Sequence, residues 1–316
     1  MARNKVQFQK GLSEDGFDAL YGTEEQCHAR LVSLRWPNGF ECPECGGRGH
    51  CIVKRGARLL FQCNACRKQT SVKAGTVFAS SKVSLRLWFK AIYHLTQSKK
   101  GISSVELGRR LGVTQTTAWI MKHKLAQVML ERNGAKLLKG VVQMDDAYLG
   151  GERPGKRGRG AAGKTPFVAA VAVTESGEPD QILLRRVAGF CKKAIGKLAR
   201  KALAPDAQVI SDGLACFSAV TEAGCAHTKI KTGSGPKAAK KPAFKWVNTT
   251  LGNIQSFLTG TYRSIREKHA PRYLAEFEYR HNRRYRLETM IDRLAYVSLR
   301  TAPMPYSLLK LADVYA

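Results

Sequence analysis

An α/β domain carried behind a small cysteine-rich unit and a helical unit is the architecture this sequence predicts, on three observations. Two C-x-x-C pairs lie close together near the start of the chain, helix-spaced text punctuated by glycines follows, and from about residue 139 apolar strands alternate with helical segments. At 316 residues the chain is long enough for two or three domains with cores of their own. The boundaries expected are 1–75, 76–135 and 136–316.

Lys and Arg number 53 against 24 Asp and Glu, a net charge of +29 that is spread along the chain instead of gathered in one tail. Such a surplus predicts a polyanionic partner, nucleic acid above all, and leaves the chemistry open. No run of 18 apolar residues occurs, and the first residues lack the apolar stretch of a signal peptide. A soluble intracellular protein with reduced cysteines and no membrane partner is expected.

Residues 24–36, EEQCHARLVSLRW, read as a short helix ending before Pro37. Strands and cysteine pairs follow. Cys42-Pro-Glu-Cys45 and Cys63-Asn-Ala-Cys66 are separated by 17 residues, a spacing that brings four thiolates around one tetrahedral zinc ion. A segment this small lacks the apolar area to fold alone, so zinc binding would supply folding free energy. Four protein ligands leave no position for water, which makes the zinc structural.

In 102–129, ISSVELGRRLGVTQTTAWIMKHKLAQVM, Ser103 or Ser104 caps a helix with Val105, Leu107 and Leu111 inward. Gly112 ends it and Thr114 caps a second helix. This is the helix-turn-helix order in which the second helix enters a major groove. Gln115, Thr116, Thr117 and Trp119 then stand near its N-terminus for base or phosphate contact, with Lys122 and Lys124 further along.

The last unit opens with VVQMDDAYLGG (141–151) and a basic Gly-rich segment (153–164). The strands FVAAVAV and QILLRRVA form a hairpin about Ser176-Gly177, the helix CKKAIGKLARKAL (191–203) follows, then the strand AQVISDG (207–213) and another helix. A second basic stretch (231–245) precedes a helical C-terminal part. Asp145 and Asp146 end one apolar strand and Asp212 another. Clustered carboxylates repel unless a cation neutralises them, and such a cluster is a ligand set for Mg²⁺ in phosphodiester chemistry.

The knuckles, the helix pair, VVQMDDAYLGG, VISDG, WVNTTLGNIQSFLTGTYRSI (246–265) and RYLAEFEYRHNRRYRL (272–287) together resemble the insertion-sequence 1595 group of bacterial DDE-type transposases. The resemblance covers nearly the whole chain and implies an RNase H-like α/β catalytic domain behind the zinc ribbon and the helix-turn-helix. It places Asp145 and Asp212 at the first two ligand positions. Asn253 falls where other members carry Glu or Asn, Asp146 stands where many carry Glu, and Gln255, Glu267, Glu276 and Glu278 are weaker candidates for the third ligand. An amide ligand brings no charge and holds a metal less tightly than a carboxylate. The resemblance also implies Mg²⁺ or Mn²⁺ as catalytic ion, with double-stranded DNA, as transposon ends and target, for substrate. An assembly of at least two copies on DNA and a cytoplasmic, nucleoid-associated location complete what it implies.

Arg263 is expected to contact a phosphate beside the active site. The run Arg280, Arg283, Arg284 and Arg286, interleaved with Tyr279, His281 and Tyr285, offers either DNA contacts or a solvated helix face covering the catalytic domain. A catalytically dead DNA binder and a nuclease without strand transfer are the rival readings.

Overall fold

The computed structural model describes residues 10–56, 58–133, 136–150, 163–231, 241–262 and 265–312. Most of the two basic low-complexity stretches, and Arg263, lie outside them. The chain divides into two compact units, Met1–Val128 with Tyr285–Lys310, and Met129–Arg284 with Leu311–Ala316. The segment 285–310 therefore groups with the N-terminal half, not with the rest of the expected 136–316 domain.

In the first unit, helices α1 (Glu14–Tyr21) and α2 (Glu24–Arg35) start on well-made caps. The Ser13 hydroxyl accepts from Gly16 N, Thr23 and Gln26 form a reciprocal capping box, and both first turns carry acidic residues that suit the helix dipole. Apolar periodicity predicts α2 and gives no sign of α1. Strands β1 (His50–Arg55), β2 (Arg58–Cys63) and β3 (Gln69–Ser71) form an antiparallel sheet over a small core of Phe40, Cys42, Phe61 and Cys63. Helix α3 (Leu85–Gln97) buries Leu85, Trp88, Phe89, Ile92 and Leu95, one stripe at helical spacing.

Helix α4 (Ser104–Leu111) is capped by Ser103, whose Oγ accepts from Glu106 N at 3.1 Å, and ends on Gly112 at φ +66°. There a left-handed residue lets the chain turn at once into α5 (Gln115–Asn133). Leu107 and Leu111 are buried as expected, but Val105 is 48% exposed. It sits off the stripe that Leu107 and Leu111 share. Near the C-terminus, Asp292 of α9 (Met290–Ser298) accepts from Tyr21 Oη at 2.8 Å and pairs with Arg30, which ties α9 to α1 and α2.

The second unit is a five-stranded sheet in the order β6-β5-β4-β7-β8. Strands β4 (Val141–Leu149), β5 (Thr165–Val173) and β6 (Pro179–Arg186) pair antiparallel, whereas β7 (Gln208–Ser211) and β8 (Ala226–Lys229) join β4 in parallel. The hairpin expected about Ser176-Gly177 is present, with Gly177 at φ +79°. Both faces of the sheet are covered. Val142 and Met144 pack with α6 (Lys192–Ala202) and a 3-10 helix, Ala215–Ala223, that takes the place of the α-helix expected after VISDG. Residues of the opposite parity, Ala147 and Leu149, pack with α7 (Lys245–Thr261) and α8 (Ala270–His281).

Two side chains explain how these helices seat. Gln143 Oε1 on β4 accepts from Trp246 N and Val247 N at 2.9 and 3.0 Å, satisfying two otherwise orphaned amides at the start of α7. On edge strand β6, Ile182 N and O bond the Asn282 amide, and Leu184 N donates to Glu278 Oε2. The end of α8 thus occupies backbone positions a further strand would otherwise use.

Candidate functional site

The geometry of the acid cluster follows from strand lengths. β7 stops at Ser211, which pairs with Met144, so β4 runs on with no parallel neighbour beyond that level. Asp212 leaves β7 beside Asp145, and the Asp212 Oδ1 accepts from Leu214 N at 3.0 Å to turn the chain. Gly213 takes φ +96°, and a Cβ there would meet the Lys229 side chain at 2.7 Å. Asp145 Oδ1 accepts from Asp146 N at 2.9 Å.

Asp145, Asp146 and Asp212, all half-buried, each present a carboxylate oxygen within 4.8 Å of the others. The structure therefore brings together the two acids the sequence singles out and adds Asp146. Carboxylates at this range repel when ionised, and a divalent cation held among them would relieve that repulsion. The cluster lies where β7 ends beside β4, at the carboxyl end of their parallel pairing, the sheet position where open α/β folds bind ligands.

Asn253 lies on α7, exposed, between the buried Thr250 and Ile254. Gln255 is exposed and donates to Thr259 Oγ1. The other third-ligand candidates are engaged elsewhere. Glu267 pairs with Arg186, Glu276 accepts from Tyr262 Oη at 3.2 Å, and Glu278 pairs with Arg185 at 2.6 Å.

The four cysteines form the second cluster, their sulfurs within 4.8 Å of one another. Cys42–Cys66 and Cys45–Cys63 Sγ separations are both 3.6 Å, close to the edge of about 3.8 Å that four sulfurs define around zinc at ~2.3 Å. Amides of Cys66 and then Ala65 pull the Cys63 thiol down to about 7, against some burial, and amides of Cys45 and Glu44 lower Cys42. The Lys68 amide favours a Cys66 thiolate, yet sulfur neighbours, Cys45 foremost, push that thiol up to about 12. Four thiolates together need a cation, and the donor set fits zinc.

Of the residues expected to meet DNA, Thr116 is exposed, Gln115 is exposed with its Nε2 donating to Ser104 Oγ, and Thr117 bonds Thr114 at the start of α5. Lys122 is not available to a duplex. It is 2% exposed and its Nζ donates to Ile102 O at 2.6 Å. Lys124 is buried likewise, donating to Val77 O. Arg283 stacks over Tyr279 at 3.7 Å and donates to Tyr279 O, and Arg284 donates to the backbone of Pro179, Asp180 and His281. Both hold the end of α8 in place. Arg280 lies buried over Phe257, so of that basic run only Arg286, with Tyr285, is exposed. Arg280, Arg283 and Arg284 thus serve the fold, which departs from both a run of DNA contacts and a solvated helix face.

Comparison with known proteins agrees with the two clusters. Residues 137–282 match the model of the ISXO2-like transposase domain, and residues 22–69 match that of the transposase zinc-ribbon domain. A protein of Halobacterium salinarum, named as an uncharacterized protein in transposable element ISH50, is 29% identical over 140 residues. That match spans 43% of this chain and 45% of the relative. No helix among the described residues is long and apolar enough to cross a membrane. Each of the two matched segments holds one ligand cluster, the cysteines within 22–69 and the aspartates within 137–282; the chain belongs to the insertion-sequence 1595 family of transposases.

Proposed function

We propose that this chain binds the terminal inverted repeats of a mobile element and catalyses both cleavage at their ends and joining of the freed 3′ hydroxyl to target DNA. The observation that carries the reading is the convergence of the half-buried Asp145, Asp146 and Asp212 in a strongly cationic protein. Mg²⁺ or Mn²⁺ bound there would supply Lewis-acid activation of a phosphodiester and charge for its leaving oxygen. Asp145 and Asp212 would hold the metal, and Asp146 offers the third carboxylate that a chain with Asn253 at the later position otherwise lacks. The Asn253 amide oxygen completes the proposed set.

The sheet order, three antiparallel strands continued by two parallel ones with helices on both faces, supports an RNase H-like catalytic domain. For the helix-turn-helix, support comes from the capped α4, the left-handed Gly112 and the exposed start of α5. Gln115, Thr116 and Thr117 remain the proposed DNA-reading residues, and Arg263 a proposed phosphate contact. At least two copies on DNA, acting on the nucleoid in the cytoplasm, would hold the two ends together.

The test is incubation of labelled end DNA with the zinc-loaded chain and Mg²⁺ or Mn²⁺. Wild type should yield cut and then joined products. Asp145→Ala should lose about 10³-fold in rate or more, the equivalent of the several kcal/mol a metal contributes to phosphoryl charge stabilisation. Cut products without joined ones would reduce the reading to a nuclease. Equal products from wild type and variant would remove the site.

A further inference from the structure

Helix α6 breaks the rules that α1 and α2 follow. Its sequence, KKAIGKLARKA, holds five cations and no acid. Two of them, Lys192 and Lys193, sit in the first turn, at the positive end of the helix dipole, and Cys191 before them makes no side-chain cap bond. Helices α1 and α2 show the opposite arrangement, with capping hydroxyls and acidic first turns. Lys193, Lys197 and Lys201 recur at four-residue spacing, so three like charges stack on one face, where such pairs destabilise an isolated helix.

These cations are outward. Ile195, Gly196, Ala199 and Ala202 make the buried side, against the 3-10 helix that carries Glu222, while Lys192, Lys193, Lys197, Arg200 and Lys201 lie off that side. Glu222 pairs with Arg200, at 3.5 Å and with both side chains more than half exposed, a weak pair. The three-lysine stripe runs about 12 Å along the helix, enough for successive phosphates of one DNA strand. The segment leading into the helix touches the strand that carries Asp145 and Asp146. Phe190, immediately before α6, packs edge-on against Tyr148 with ring centres 5.3 Å apart, and Tyr148 lies two residues beyond Asp146 on β4.

We infer that the outer face of α6, centred on Lys193, Lys197 and Lys201, is a docking surface for the phosphate backbone of duplex DNA running away from the acid cluster. The electrostatic cost the helix bears when alone is relieved when phosphates lie along it. The inference rests on the transposase reading for its partner, while its test does not depend on cleavage.

The experiment measures binding of the full zinc-loaded chain to a fluorescent duplex of arbitrary sequence over a range of salt concentrations, without divalent metal. The variant Lys193→Ala/Lys197→Ala/Lys201→Ala should flatten the slope of log K against log salt by about 0.9 for each phosphate no longer neutralised, ~2.7 in all. The triple Arg variant should keep the wild-type slope, and thermal melting should show all three proteins folded. An unchanged slope in the Ala variant overturns the inference, as does an equal flattening in the Arg variant. If wild type shows no metal-dependent cleavage yet the slopes behave as stated, the catalytic reading falls and the surface stands.

Discussion

The two ligand clusters of this chain are built in opposite ways. The four cysteines come from two tight turns close in sequence, they surround a point with no position left over, and the core beneath them is four residues with Trp36 and Val32 at its margin. Asp145 and Asp146 stand in the middle of β4 and Asp212 just after β7, far apart in the chain, and the sheet that carries them has a core on each face. The first centre makes its own fold possible. The second is mounted on a fold that stands without it.

The difference is sharpest under chelation. Cys63→Ser, or removal of zinc, should abolish ordered structure in residues 40–71, because apparent zinc free energies of about 10–16 kcal/mol are folding free energy in units of this size. Amide exchange read by mass spectrometry should show β1–β3 becoming unprotected while β4–β7 keep their protection. Loss of protection in both units together would mean that the second does not stand alone.

A smaller effect probes what holds the second unit. His281, the last residue of α8, is half-buried, with its Nε2 buried and without a hydrogen-bond partner, and burial and then Arg284 lower its pKa from 6.5 to about 3. The unfolded chain therefore binds a proton that the folded one refuses, so stability is lost as pH falls below 6.5, by about 2 kcal/mol at pH 5. Burial raises Glu278 despite Arg185, which opposes this trend by favouring proton uptake in the folded state. His281→Phe should flatten the fall in urea-unfolding midpoint between pH 6.5 and 5. If the slope survives, acid sensitivity resides elsewhere.

How much of the molecule is legible in its sequence follows from the same contrast. The ribbon is readable because its ligands are neighbours in sequence and their spacing alone implies the metal. Asp212 is readable as a carboxylate ending an apolar strand, whereas Asp145 and Asp146, expected at a strand end, stand mid-strand because β4 runs on to Leu149. Asp146 is harder to place, since strand alternation sends adjacent side chains to opposite faces; only the early end of β7 leaves room for both. Charge alone puts Lys122, Arg283 and Arg284 in solvent, and the fold does not. Long cationic side chains also reach backbone carbonyls from within a fold, and nothing in the local pattern separates the two uses. α1 escapes a search for apolar periods because it is a short helix whose signal is the Ser13 cap with acidic residues behind it.

The smallest effect bears most directly on whether the acids serve the fold or a ligand. Asp145→Asn keeps the side-chain oxygen that accepts from Asp146 N and removes one of three charges within 4.8 Å. Without divalent metal the variant should be more stable, by about 1 kcal/mol, since half-buried carboxylates are partly screened, which is ~2–4 °C in melting temperature for a unit of this size. With excess Mg²⁺ the order should reverse. Wild type then gains free energy by mass action as its cluster fills, and the variant, binding more weakly, gains less. That crossover separates a ligand site from a structural one, because a carboxylate placed for the fold would lose stability on substitution in both conditions.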